Sequence, residues 1–391
     1  MTEDPKAPAV PAILGSVLLG DVAHLGRRVP GIEMFTLFSF VPVPVLALGC
    51  LFGSFFLWIA LIWMVVGMPL LDRLMRRAAP DAPEGADFAD ADILLITLAV
   101  AHFALLALLL VAVTGMTGLG LVERIAAFLA CGLFIGQVSG AAAHELIHRA
   151  DRRLFQLGQW IYISLLYGQH VSAHRLVHHP LVGTRADPNT AVLGESFWAY
   201  LGQVWPAEFR AGWRAEQALP ADARPKVPAY AVYLAGGLGF VLLVWIVFGL
   251  IGLGAYLLLC LFAQMQILLV DYVQHYGLER RRLGEGYEPV GAGHSWDAPG
   301  PVSALWMLNA PRHSDHHVHP ARAYPNLALG DVQAPGRAIL PFSLPVMSVI
   351  ALSPRLWHRM MDRRVRALRS RQAAAWPPAE SRPPVKSRVA S

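Results

Sequence analysis

The stretch ADILLITLAVAHFALLALLLVAVT, residues 91–114, carries one acid near its start and no lysine or arginine over a length that crosses a bilayer as a helix. Spanning takes about 20 mostly apolar residues, because each backbone polar group must be satisfied within its own segment. Working outward, five more windows meet the same test: 33–50, 54–71, 121–143, 230–251 and 252–270. They pair into three hairpins, with breaks at 51–53, 115–120 and 251–253. The expected fold is an all-α integral membrane protein: six transmembrane helices in three hairpins, with a cytoplasmic histidine-rich helical cap.

Composition points the same way. The 391 residues are 55% hydrophobic and 15% charged, with a mean hydropathy of +0.46. A soluble chain carries about a quarter charged residues. The net charge of +5 shows no basic stripe interleaved with aromatics, so no nucleic-acid partner is expected. Cys50, Cys131 and Cys260 lie in or beside apolar runs and imply no disulfide framework. The start, with Glu3 and Asp4, does not read as a cleavable signal.

Arginines orient the bundle. Around the tight turns the basic residue is Arg124, whereas Arg73, Arg76 and Arg77, then Arg149, Arg152 and Arg153, then Arg280, Arg281 and Arg282 follow the even-numbered spans. Positive residues favour the cytoplasm, which places both termini and both long loops inside. The first loop holds an apolar stretch at 154–167, too short to span and read as interfacial or re-entrant. A similar stretch near 340–352 is split by prolines.

Nine of fifteen histidines gather in four clusters: His144 and His148; His174, His178 and His179; His275; and His313, His316 and His317. Residues four apart share a helix face, so His144/His148, His174/His178 and His313/His317 each suit one metal. The adjacent pairs His178–His179 and His316–His317 diverge, and each can serve two metals. Nine imidazoles exceed what one ion accepts, so two metals are expected. All four clusters fall at the cytoplasmic ends of spans or in the cytoplasmic loops. His24, His102, His294 and His358 read as ordinary surface or core residues, and His170 and His319 as structural or supporting ones. The pentapeptide from His144 to His148, with Glu145 inside it, is also the zinc-protease pattern. A membrane metalloprotease would leave six or more clustered histidines unexplained and stands as a minor alternative. A metal transporter would place ionisable ligands near mid-membrane, which the spans lack.

The sequence resembles the membrane alkane 1-monooxygenases, within the wider superfamily of membrane fatty-acid desaturases and hydroxylases. The residues that carry the likeness are His144 to Arg149, the box ending His178–His179, Asp187–Pro188 through Gly194 to Trp198, His275-Tyr276-Gly277-Leu278, and Arg312 to His317. The resemblance implies that the nine clustered histidines hold two Fe ions as a di-iron centre. It also implies O2-dependent hydroxylation of a terminal C–H in a medium- or long-chain alkane, and electrons from a rubredoxin or ferredoxin carrier with its reductase. Xylene-type methyl hydroxylases and fatty-acyl hydroxylases or desaturases are the close alternatives. The chain departs from the family pattern at Ala173, Val177, Asp271 and Gln274, which touches the surroundings of the ligands rather than the ligands.

Carboxylates are expected to hold the rings of such ligands, and Glu145, Asp187, Asp271 and Asp315 are the candidates. An apolar substrate would arrive from the bilayer through a channel whose wall could include Phe55, Trp58 and Trp63. Arg312 with Arg280, Arg281 and Arg282 would meet an acidic electron carrier. The expected divisions are a cytoplasmic N-terminal segment (1–32), a membrane hydroxylase domain (33–330), an interfacial segment (331–370) and a disordered basic tail (371–391). The expected location is a bacterial-type inner membrane, with the active site on its cytoplasmic side.

Overall fold

A computed structural model describes residues 28–374 other than 76 and 77. His24, Arg76, Arg77 and the proline-rich tail beyond 374 lie outside the described residues. Five helices are long and apolar enough to cross a membrane: α1 (Ile32–Phe52), α2 (Phe55–Met75), α3 (Ala91–Val113), α4 (Leu121–Ile147) and α8 (Ala229–His275). The chain is thus a mostly helical, multi-pass membrane protein. Helix α8 runs 47 residues where two spans were expected, and its backbone leaves the helical region at Gly249 (φ 63°, ψ −164°). A side chain is strained in that conformation; glycine is not, and the kink sits next to the expected break.

Helices α4 and α8 continue past their expected ends at 143 and 270, because residues beyond the apolar core still complete helical hydrogen bonds. They therefore deliver His144 and His275 on rigid helix ends. Helix α4 is innermost: 72% of its apolar window is buried, against 28% for α2. Helix α5 (Arg152–Ser164) begins at Asp151, whose carboxylate accepts the Arg153 and Leu154 N–H groups at 2.7 and 3.1 Å. It turns back along α4, with Gly158 against Ala143 and Leu146. A helix end leaves carbonyls without partners. Here Tyr256 donates to the Ser164 carbonyl at 2.7 Å and Gln264 to that of Leu165 at 2.8 Å, while His102 and the Ser164 hydroxyl meet at 2.8 Å. These partners lie on α3 and α8, so the end of α5 is anchored against two of the long apolar helices.

The cap is built from α6 (Gln169–Ala173), α7 (Phe197–Ala218), α9 (Pro301–Trp306) and α10 (His313–Val318), followed by α11 (Leu344–Ala351) and α12 (Pro354–Ala374). It departs from an all-α cap by one small hairpin, β1 (Arg282–Leu283) with β2 (Gly286–Tyr287). Helix α12 was not foreseen, and it extends four residues into the expected tail. Trp357, Met361, Val365 and Leu368 recur at helical spacing among its arginines and are buried. Trp357 packs on Tyr272 and Tyr276, and Arg369 donates to the Gly277 carbonyl at 2.8 Å, which ties the C-terminal helix to the end of α8.

Candidate metal centre

Four segments converge under the cap. The end of α4 presents His144 and His148, the end of α8 presents His275, and α10 presents His313, His316 and His317. The chain after α6 presents His174, His178 and His179. They form two adjacent groups: His144, His148, His174, His179 and His316; and His178, His275, His313 and His317. Within each group the ligand atoms lie within 4.8 Å of one another.

The expected pairing of His174 with His178 fails. Residues His174–His178 form a π-turn, in which positions five apart align instead of four. His174 therefore faces His179, with their Nε2 atoms 2.9 Å apart, and His178 goes to the other group. The adjacent pairs His178–His179 and His316–His317 each divide between the groups.

The donor set fits metal. The Nε2 separations are 3.2 Å for His148–His174, 3.2 Å for His179–His316, and 3.0 Å for His275–His313 and His313–His317. Donors about 2.1 Å from one ion stand about 3.0 Å apart at right angles and about 3.4 Å apart at the tetrahedral angle. The observed edges, 2.9 to 3.2 Å, fall close to these values, so each group suits one ion. The His144 and His178 Nε2 atoms are buried without a hydrogen-bond partner. Lone pairs converging at this spacing repel unless a cation lies between them.

Electrostatics keep most of these rings neutral. Burial holds His148, His174, His179, His313, His316 and His317 well below the usual histidine range, and neighbouring rings add to the effect. His178 is the exception. Burial pulls it down, but the Asp187 carboxylate, 2.8 Å from Nδ1, together with Asp271 and Glu208 outweighs burial and raises it.

Of the four carboxylates expected to support ligands, Asp187 alone hydrogen-bonds a clustered histidine among the described residues. Glu145 accepts the Tyr324 N–H at 3.1 Å and lies 3.7 Å from Arg149. Asp315 receives Arg322, His319 and the Ala328 N–H. Asp271 accepts from Asn189 at 3.0 Å. The carboxylate that braces the last box is Asp297, which sequence reading missed. It accepts the Ser314 N–H at 2.7 Å and its hydroxyl at 2.5 Å, at the start of α10, and is paired with Arg337 at 2.8 Å. Burial pushes its carboxyl up to about 6.

Arg312 is no docking charge. It is buried, donating to Asp81 at 2.8 Å and to the Ala79 and Leu327 carbonyls. Arg280 is also engaged, donating to the Glu288 and Pro180 carbonyls at 2.7 and 3.0 Å and so closing the loop after His179. His294 pairs with Glu288, and His358 with Tyr276 and Asp362.

An apolar groove of about 390 Å³ opens between α2, α4, α8 and α11, lined by Met64, Val65, Leu133, Phe262, Met265 and Val349. Val65 and Val349 are 60% and 69% exposed, so its mouth lies on the outer surface of the bundle. A second space of about 60 Å³ lies against His144, His174 and His313. Gln137, Val270 and Met307 line both and stand between them. Phe55 and Trp58 are exposed on the outer face, and Trp63 stacks on Phe38 at 6.0 Å. From α2 the groove takes Met64, Val65 and Pro69 instead, because the π-turn Trp63–Gly67 rotates the helix there.

The family model described as fatty acid desaturase matches residues 123–334, a region that holds all nine clustered imidazoles. Alkane 1-monooxygenase 2 of Pseudomonas aeruginosa is 30% identical over 325 residues, covering 78% of this chain and 84% of its own. Alkane 1-monooxygenase 1 of the same organism is 31% identical over 63% of this chain and 65% of its own. The alkane 1-monooxygenase of Pseudomonas putida is 29% identical over 61% of this chain and 60% of its own. The likeness runs through the bundle as well as the histidine boxes, and by that extent the chain belongs to the alkane 1-monooxygenase family and is an oxidoreductase.

Proposed function

We propose that this protein is a di-iron monooxygenase that hydroxylates a terminal C–H of a medium- or long-chain alkane. It uses O2 and electrons from a rubredoxin- or ferredoxin-type carrier served by its reductase. The observation that carries this reading is the division of nine converging imidazoles into five and four. His144, His148, His174, His179 and His316 would hold one iron, and His178, His275, His313 and His317 the other. Bound there, iron supplies the redox chemistry that activates O2, and an imidazole shell suits it.

The chain supplies the rest. Asp187 fixes the ring orientation and tautomer of His178. Asp297 sets the start of α10 and with it the directions of His313, His316 and His317. An alkyl chain entering from the bilayer lies in the apolar groove, and the neck of Gln137, Val270 and Met307 admits its terminal carbon to the space beside His144. That confinement excludes water and selects the chain end. Glu145, engaged with Tyr324 and Arg149, is not placed as a protease base. Six crossings, with Gly249 as the turn between the last two, would put the site and both termini in the cytoplasm of a bacterial-type inner membrane.

Anaerobic purification with metal analysis tests the reading. About two irons per chain and O2-dependent conversion of octane to 1-octanol are expected. One zinc with peptide cleavage would replace it with the protease. Narrowing the neck with Met307→Trp is expected to cut hydroxylation of long alkanes about tenfold or more. Trp58→Ala is expected to leave the chain-length profile unchanged. A profile that follows Trp58 and ignores Met307 would move the path elsewhere.

A further inference from the structure

His170 is left over by the metal centre, yet it is 2% exposed and lines the small space together with His144 and His174. Its position comes from an unusually close helix crossing. At Gly212 of α7 an added Cβ would stand 3.0 Å from the Ala173 nitrogen and 2.5 Å from the Tyr230 hydroxyl, so glycine there lets α7 lie against α6. That contact brings Glu208, 1% exposed, onto His170. One carboxylate oxygen lies 2.6 Å from His170 Nδ1, and the other accepts the Tyr167 hydroxyl at 2.5 Å. The Tyr167 ring stacks on the imidazole at 4.9 Å. A buried carboxylate is costly without such partners, and among the described residues these two hydrogen bonds are the ones Glu208 makes. Ring orientation and tautomer are both set from behind.

We propose that Glu208 and Tyr167 hold His170 as the hydroxyl-recognising residue of the substrate space. With Nδ1–H donated to Glu208, Nε2 is left as the ring's acceptor and is assigned to the O–H of a primary alcohol in the space. An alkane offers it nothing. The site then holds product alcohol more tightly than substrate, and His170 sets that difference. This inference rests on the reading of the small space as the place of the alkyl chain's reacting end.

Besides the clustered histidines, the other polar groups there are Gln137, whose Oε1 accepts the Trp306 indole N–H at 2.9 Å, Tyr162, which donates to the Gly140 carbonyl at 3.4 Å, Gln274, which donates to that of Ala310 at 3.0 Å, and Asp271. Asp271 is the rival acceptor. The experiment measures displacement of a labelled alkyl chain from the purified iron-loaded protein by octane, 1-octanol and octyl methyl ether. His170→Asn, which keeps a donor for Glu208, is expected to weaken 1-octanol binding about tenfold and to leave octane unchanged. In Glu208→Gln, Tyr167 donates to the amide oxygen and the amide NH2 turns to Nδ1, so Nε2 becomes a donor. Wild-type protein is expected to prefer the alcohol over the ether, and Glu208→Gln to lose that preference. Iron content and thermal midpoint equal to wild type identify the variants that fold. Undiminished 1-octanol binding by His170→Asn overturns the inference, as does a loss that appears with Asp271→Asn instead. If wild-type protein binds neither octane nor 1-octanol, the proposed function falls first and takes the inference with it.

Discussion

Replacing His275 with alanine is expected to lower bound iron from about two per chain to about one and hydroxylation at least about 100-fold. His148→Ala is expected to keep more of its metal. The difference follows from the unequal groups. His275 belongs to the group of four, is fully buried, and has its Nε2 3.0 Å from that of His313. Its loss leaves His178, His313 and His317, too few for a closed shell in a site where water has little access. His148 belongs to the group of five, and its removal leaves four imidazoles, a complete tetrahedral set. Activity falls in both variants, since both sites take part, but metal analysis separates them. Equal iron loss in the two variants would show that the five-and-four division does not describe the bound state.

The large features of this fold could be read because lipid imposes a simple rule. Each span declares itself by apolar length, and the break at Gly249 lies close to where hydropathy put one. The nine imidazoles could also be read, because their motifs are local. The pairing within the second box could not, since apolar pattern does not distinguish a π-turn from an α-turn. That one extra residue in the turn swaps the sites of His178 and His179. Asp187 was visible because it lies nine residues from the histidine it holds, inside the same motif-bearing loop. Asp297 and Glu208 reach the centre only through tertiary contact, 17 and 38 residues from Ser314 and His170, and no spacing rule links them. The groove was hidden for a related reason: aromatic bulk points to Trp58 and Trp63, while helix rotation turns their neighbour Met64 toward the groove. Helix α12 was legible, in the recurrence of Trp357, Met361, Val365 and Leu368, but its arginines masked the apolar stripe.

Acidification from pH 7 toward pH 5 is expected to release iron and lower the thermal midpoint together, with more than one proton taken up in the transition. His148, His174, His179, His313, His316 and His317 all have folded values held well below the ordinary one, first by burial and then by the neighbouring rings. In the unfolded chain each takes up a proton near pH 6.5. Below that point the unfolded state binds protons that the fold refuses, so stability falls as pH falls; above it the contribution is fully present. His178 acts in the opposite sense. Asp187 raises its folded value, so its contribution is present at low pH and is lost as pH rises through that value. Six groups against one decide the sign. Each proton refused by the fold steepens the fall, by about 1.4 kcal/mol for every pH unit below the unfolded value. Metal adds to the same direction, because it needs the neutral imidazoles that protons take. Iron content and thermal midpoint measured from pH 8 to pH 5 check this: both flat above about pH 7, then falling together. A midpoint that holds steady to pH 5 while iron leaves would mean that the imidazole cluster is an open surface rather than the buried, proton-excluding core of the cap.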